Sequence, residues 1–111
     1  MAEVHRVVRD VSQRVTDAIG PGSLKLVSGS SPSRPLDAVL DEVLSDRAGA
    51  NDVRRFQENV FAVYTTVEPA DIRNWLAEQL TEEESVFIVE FERWSSHGPA
   101  ADRRWLLRRG H

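Results

Sequence analysis

Two apolar, β-branched segments separated by a helical pattern constrain the fold of this chain more than any other feature. Residues 60–66 read Val-Phe-Ala-Val-Tyr-Thr-Thr, and residues 85–92 read Ser-Val-Phe-Ile-Val-Glu-Phe-Glu. Such segments are typical of strands inside a sheet. Between them, a segment that begins at Pro69 carries one apolar helix face, formed by Ile72, Trp75, Leu76 and Leu80. The order strand–helix–strand predicts a right-handed crossover in an α/β domain.

The first half of the chain repeats this order. A strand is predicted over residues 23–28, followed by a turn-rich loop over residues 29–35. A helix face follows, formed by Leu36, Val39, Leu40, Val43 and Leu44. Residues 52–57 and 60–67 then read as two strands joined by Glu58-Asn59. The whole order predicts an α+β, ferredoxin-like βαββαβ sandwich.

The flanking segments add one element at each end. Apolar residues at helical spacing predict an N-terminal helix over residues 1–20, although residues 4–11 are also compatible with a strand. Residues 95–111 form a tail in which a short helix is predicted over 101–108, capped by Gly110. With 111 residues, the chain is expected to form one domain whose ferredoxin-like core spans residues 23–94.

Composition excludes several classes of chemistry. The chain has no cysteine, which removes disulfides, thiol-ligated zinc and a thiol nucleophile. Its three histidines have no spacing that predicts shared ligation, so neither a metal nor a cofactor is expected. The charged N-terminus and the lack of a long apolar run predict a cytoplasmic protein without a membrane partner.

The candidate nucleic-acid site lies in the C-terminal tail. With a net charge of −4, the chain as a whole lacks the basic character of a general nucleic-acid binder. One concentrated basic cluster remains, formed by Arg103, Arg104, Arg108 and Arg109 around Trp105. Arginines could hold RNA phosphates while the indole stacks on a base. The favoured alternative is a terminal helix that docks Trp105 and Leu106 on the core and leaves its arginines in water.

Two other patterns are weaker. The loop Gly29-Ser30-Ser31-Pro32-Ser33-Arg34 resembles a phosphate-binding turn in composition, but its prolines remove N–H donors, and an ordinary connection is favoured. Glu90 and Glu92 share a strand face, where paired carboxylates could serve acid–base chemistry or could simply be exposed. No catalytic residue is assigned.

Residues 55–66, the helix that begins at Pro69, residues 84–89 and the ending Trp105-Leu106-Leu107 together resemble the second half of the SinR-like and CRISPR-associated small endoribonucleases. The resemblance implies a ferredoxin-like fold, a symmetric dimer and a role in prokaryotic defence or toxin–antitoxin regulation. It also implies a metal-binding aspartate at the end of the first strand. Here no acidic residue lies between Leu24 and Arg34, so the resemblance favours the fold over the nuclease activity.

These observations predict a non-catalytic binding module that acts through protein or RNA contacts. A homodimer is expected because a four-stranded sheet leaves an open edge and an open face. One alternative is a metal-dependent endoribonuclease that uses displaced acids such as Asp37 or Glu90. The other is a dimer that binds a small molecule in a cavity against the sheet.

Overall fold

The computed structural model describes residues 22–110. The predicted helix over residues 1–20 lies outside this range. The elements, in chain order, are β1 (Ser23–Ser30), α1 (Asp37–Ala48), a 3₁₀ turn (Ala50–Asp52), β2 (Val53–Gln57), β3 (Val60–Thr65), α2 (Pro69–Ala77), β4 (Ser85–Phe91) and α3 (Arg103–Gly110). Each strand and helix predicted within the described range is present.

The four strands form one antiparallel sheet in the order β2-β3-β1-β4. Within residues 22–110, β1 and β3 are therefore central and β2 and β4 form the two edges. The apolar character of residues 60–66 predicted the central place of β3. The predicted hairpin at Glu58-Asn59 joins β2 to β3, and Asn59 has a positive φ of 62°, a conformation that asparagine tolerates better than most residues. The α+β architecture is consistent with the predicted ferredoxin-like class.

Helices α1 and α2 pack on one face of the sheet, as their apolar patterns require. The buried core on this face is formed by Val27, Leu36, Leu40, Leu44, Val53, Phe61, Val63, Ile72 and Leu76. Trp75 is only partly buried against this core, because it lies at the margin of the α2 stripe and faces Arg47 of α1 across a cation–π contact.

A second, smaller core lies on the opposite face. Side chains alternate along β1, so that Leu24 points away from the face that holds Val27. Leu24 and Ala62 of the sheet are buried with Trp105 and Leu106 of α3. The C-terminal helix therefore docks on the sheet, as the favoured interpretation of the tail predicts.

Helix boundaries differ from the predicted ones at two places. α2 ends at Ala77, before Leu80, which packs on the core from the following turn. α3 begins at Arg103 because the Asp102 carboxylate accepts the N–H of Trp105 at 3.1 Å, a typical N-terminal cap. Gly110 is the last residue of α3 and not the cap after it. Among residues 22–110, no helix is long and apolar enough to cross a membrane.

Candidate binding face

The predicted RNA site is divided by the docking of α3. The Trp105 side chain is 0% exposed, and its indole Nε1 donates a hydrogen bond to the Asn51 carbonyl at 2.8 Å. The guanidinium groups of Arg54 and Arg109 lie 5.7 and 5.3 Å from the centre of its ring. In this arrangement the indole has no exposed face on which a base could stack.

The arginines of the same cluster take different positions. Arg109 forms an ion pair with Asp52 at 2.8 Å, which fastens the end of α3 to the turn before β2. Arg103, Arg104 and Arg108 are exposed on α3. RNA contact by these three side chains stays a prediction.

In the loop that resembles a phosphate-binding turn, side chains of the protein accept hydrogen bonds from several backbone N–H groups. The Ser31 hydroxyl accepts the backbone N–H groups of Ser33 and Arg34, each at 3.2 Å. The Leu36 N–H donates to the Asn59 side-chain oxygen at 2.8 Å. Because these donors are already satisfied, this geometry supports the interpretation of the loop as an ordinary connection.

Glu84, which the sequence did not single out, holds this loop in place. Its buried carboxylate accepts hydrogen bonds from Arg34 Nε at 2.7 Å and Nη2 at 2.8 Å, from the Thr81 N–H at 2.9 Å and from the Ser31 hydroxyl at 2.9 Å. These contacts, those from Arg34 first, lower the pKa of Glu84 from 4.5 to about 2. The Glu84 carboxylate therefore clamps the loop after β1 to the loop before β4.

The acids proposed for a displaced metal site are not brought together. Asp37 accepts a hydrogen bond from the Asn59 N–H, and this bond together with Arg55 lowers the pKa of Asp37. The Asn59 carbonyl in turn accepts the Gly29 N–H, so Asp37 lies near Gly29 at one end of β1. Glu90 pairs with Lys25 near the other end, roughly 13 Å away at about 3.3 Å per strand residue. No group of three histidine or acidic side chains within residues 22–110 could hold a metal ion.

The structure places an apolar groove on the sheet face that carries α3. We call it the sheet-face groove; its cavity of about 260 Å³ is lined chiefly by Leu26, Phe56, Val89, Phe91, Trp94 and Leu106. Alternate residues of β1 and β4 form its floor, because Leu26 pairs with Val89 and Leu24 with Phe91. Among residues 22–110, α3 covers the end of the face near Leu24, and the rest of the face stays open as a groove.

Phe87 extends the apolar surface beyond the groove. It lies two residues before Val89 on the same face of β4, and it is 67% exposed. Phe87 belongs to the apolar strand segment predicted over residues 85–92, but it is not a core residue. The reason is that β4 is an edge strand of the described sheet, and α3 does not extend over the end of β4 that carries Phe87. The alternation of Phe87, Val89 and Phe91 was a visible signal for this face.

A basic margin adjoins the sheet-face groove. Trp94, Ser95 and Ser96 line both the groove and a neighbouring cavity that also involves Arg93, Arg103 and Leu107. Residues 93–110 contain five arginines and one aspartate, in a chain whose net charge is −4. The apolar groove is thus bordered by positive charge. No protein-family model, curated protein or solved structure matches the chain.

Proposed function

We propose that this chain is a ferredoxin-like, non-catalytic binding module that holds an apolar segment of a partner protein in the sheet-face groove. The observation that carries the proposal is the continuous apolar surface from Phe91 through Val89 to Phe87, which ends in a phenylalanine that is 67% exposed. Large apolar side chains exposed next to a groove are a common mark of a protein interface. A role in prokaryotic defence or toxin–antitoxin regulation stays a prediction.

The size of the groove favours a protein segment over a free small molecule. Its own volume of about 260 Å³ lies near the lower limit of the roughly 300–1,000 Å³ that is typical of ligand pockets. This space suits one or two apolar side chains inserted from a partner, with the partner backbone lying across the open face. The small-molecule alternative therefore ranks second.

The composition of the face favours protein over RNA. Sheets that bind single-stranded RNA stack bases on exposed aromatic side chains. On this face the central strands β1 and β3 present one aromatic side chain, Tyr64, among aliphatic or small ones, whereas the exposed Phe87 lies on the edge strand β4. The indole of the basic cluster is buried. Arginines at the margin then serve to attract acidic residues next to the apolar anchor of the partner.

The test is a selection of random peptides displayed on phage against the full chain. We expect enriched peptides to share an aromatic or branched aliphatic residue beside Asp or Glu. The variant Ala101→Phe places a ring in the groove, because Ala101 lines it, and should abolish binding of a synthetic enriched peptide. Ala100→Phe is the matched control, because Ala100 is exposed and does not line the groove.

Two results would overturn the proposal. One is peptide binding that Ala101→Phe leaves unchanged. The other is tight binding of single-stranded RNA at physiological salt that survives Ala101→Phe and disappears in Arg103→Ala/Arg104→Ala, which would assign the surface of α3 to nucleic acid. Fluorescence anisotropy with a labelled peptide and a labelled RNA measures both outcomes on the same variants.

A further inference from the structure

The helix side of the sheet carries a groove of its own, between α1 and α2. Its cavity of about 370 Å³ lies within the roughly 300–1,000 Å³ that is typical of ligand sites. Val39 and Val43 of α1 and Trp75 of α2 provide its apolar lining, and we call it the helix groove. It shares no lining residue with the sheet-face groove, which lies on the opposite face of the sheet.

The margin of the helix groove is acidic. Glu42 and Asp46 lie one turn apart on α1, and Glu78 follows α2 directly and lines the groove from that helix. None of the three carboxylates has a hydrogen-bond or ion-pair partner among the described residues. Arg47 is the one cation that lines the groove within residues 22–110, so three negative charges face one positive charge. A further cation is therefore attracted to this groove.

The ring of Trp75 already holds a guanidinium in this groove. The terminal carbon of Arg47 lies 5.3 Å from the centre of the ring, within the distance of about 6 Å at which cations are attracted to an aromatic face. Arg47 is exposed and Trp75 is only partly buried, so the contact lies at the surface, where another cation can reach it. The chain itself thus shows which chemical group this indole accepts.

We propose that the helix groove binds an arginine side chain from a basic segment of a partner protein, which displaces Arg47 from the Trp75 ring. The incoming guanidinium gains the ring and the carboxylates, and Arg47 turns into solvent. Arginine is favoured over lysine because its planar group stacks on a ring and donates two parallel hydrogen bonds to a carboxylate. Nucleic acid is disfavoured because its phosphates would meet Glu42, Asp46 and Glu78. The inference does not rest on the proposed function, since it concerns the other face of the sheet and a partner of opposite charge.

Nitrogen–proton NMR spectra of the full chain test the site. The probe is a blocked peptide of alternating arginine and glycine, and its control carries citrulline, which keeps the shape of arginine and lacks its charge. The chain has three tryptophans, and Trp75→Leu identifies the indole N–H signal of Trp75. We expect the arginine peptide to shift this signal and to leave those of Trp94 and Trp105 in place. The citrulline peptide should shift none of them, and added salt should weaken the binding of the arginine peptide.

Arg47→Ala tests the displacement. It frees the ring and should lower the dissociation constant of the arginine peptide by about two- to fivefold. Arg73→Ala is the matched control: it removes the same charge from an exposed residue of α2 that does not line the groove, and its effect should be smaller. Weaker binding in Arg47→Ala, or an equal gain in both variants, would contradict the displacement.

The carboxylates are tested separately. Glu42→Gln/Glu78→Gln should raise the dissociation constant by about threefold or more. Asp41→Asn should leave it unchanged, because Asp41 is an exposed acid of α1 outside the groove. A Trp75 signal that does not move with millimolar arginine peptide, or that moves equally with the citrulline peptide, overturns the proposal. Ala101→Phe should leave arginine binding intact, so the failure of the proposed function and the failure of this inference are distinguishable.

Discussion

Glu84 shows how one side chain can organise segments that are distant in the chain. Its side chain is 1% exposed. Its carboxylate accepts hydrogen bonds from Ser31, in the loop after β1, and from Thr81, in the loop before β4. Arg34 also donates to the Gln79 carbonyl at 3.1 Å, which extends the clamp to the end of α2. The sequence Thr81-Glu82-Glu83-Glu84 alone does not reveal which of the three adjacent glutamates turns inward. That choice depends on Arg34, fifty residues away.

The pH dependence of stability should report this clamp. The pKa of Glu84 is lowered in the folded state to about 2 from 4.5, so its carboxylate stabilises the fold above about pH 4.5. That contribution is lost as the pH falls towards about 2. Glu84→Gln should therefore lower the urea midpoint at neutral pH and flatten its decline on acidification.

Urea melts at a series of pH values measure this effect. Some decline should remain in Glu84→Gln, because hydrogen bonds from the N–H groups of Asn59 and Trp105 lower the pKa values of Asp37 and Asp102. Glu83→Gln is the control, since Glu83 is exposed. An acid-induced decline of equal steepness in Glu84→Gln and the wild type would show that the clamp contributes nothing measurable.

At the scale of elements, the close approach of α1 to β1 depends on Gly29. A Cβ atom at this position would lie 3.0 Å from Leu36 Cδ1 and 3.2 Å from Leu40 Cδ1. The sequence pattern assigned Gly29 to the loop, whereas the structure places it in β1. Glycine is a turn former in isolation, and its pairing with Val86 of β4 makes it a strand residue here.

Gly29→Val should therefore destabilise the domain. We expect a loss of about 1–3 kcal/mol in the free energy of unfolding, because the added side chain overfills the contact between α1 and β1. Ser30→Val is the control: Ser30 is the exposed last residue of the same strand, and its change should stay within about 0.5 kcal/mol. Urea denaturation followed by circular dichroism measures both variants, and equal stabilities would contradict the close packing.

For the whole molecule, the sequence predicts what depends on local pattern and misses what depends on neighbours. The stripes that contain Leu40 and Ile72 predicted both helices and the side of each helix that is apolar. The sequence favoured burial of Trp105 on the core, which is confirmed, but its hydrogen bond to Asn51, fifty-four residues earlier, is not visible in the local pattern. A cavity against the sheet was expected only under one alternative, and the place and lining of the sheet-face groove were not predicted, since its open end is set by how far α3 reaches over the sheet. Periodicity tells which side of a strand is apolar, but not whether another element covers it.

The second core makes the C-terminal helix a structural part of the domain. Trp105→Ala should lower the free energy of unfolding by about 3–5 kcal/mol, because the ring is fully buried. Arg104→Ala, an exposed change in the same helix, should have little effect. If the two cores unfold together, circular dichroism and tryptophan fluorescence should give one transition in the wild type, because Trp75 and Trp94 report on opposite faces. Separate transitions would show that α3 melts independently.

The central position of β1 has a consequence for the order in which the chain is synthesised. β1 pairs with β3, which ends at Thr65, and with β4, which ends at Phe91. When β1 has left the ribosome, the two strands that pair with it are therefore still to be synthesised. Leu24 stays uncovered until Trp105 has been synthesised as well. Domains tend to fold as units, and here the unit is complete only when α3 has left the ribosome. Premature termination anywhere before Trp105 would leave the earliest of these strands with an uncovered apolar face, so truncated products should be cleared by proteases or aggregate.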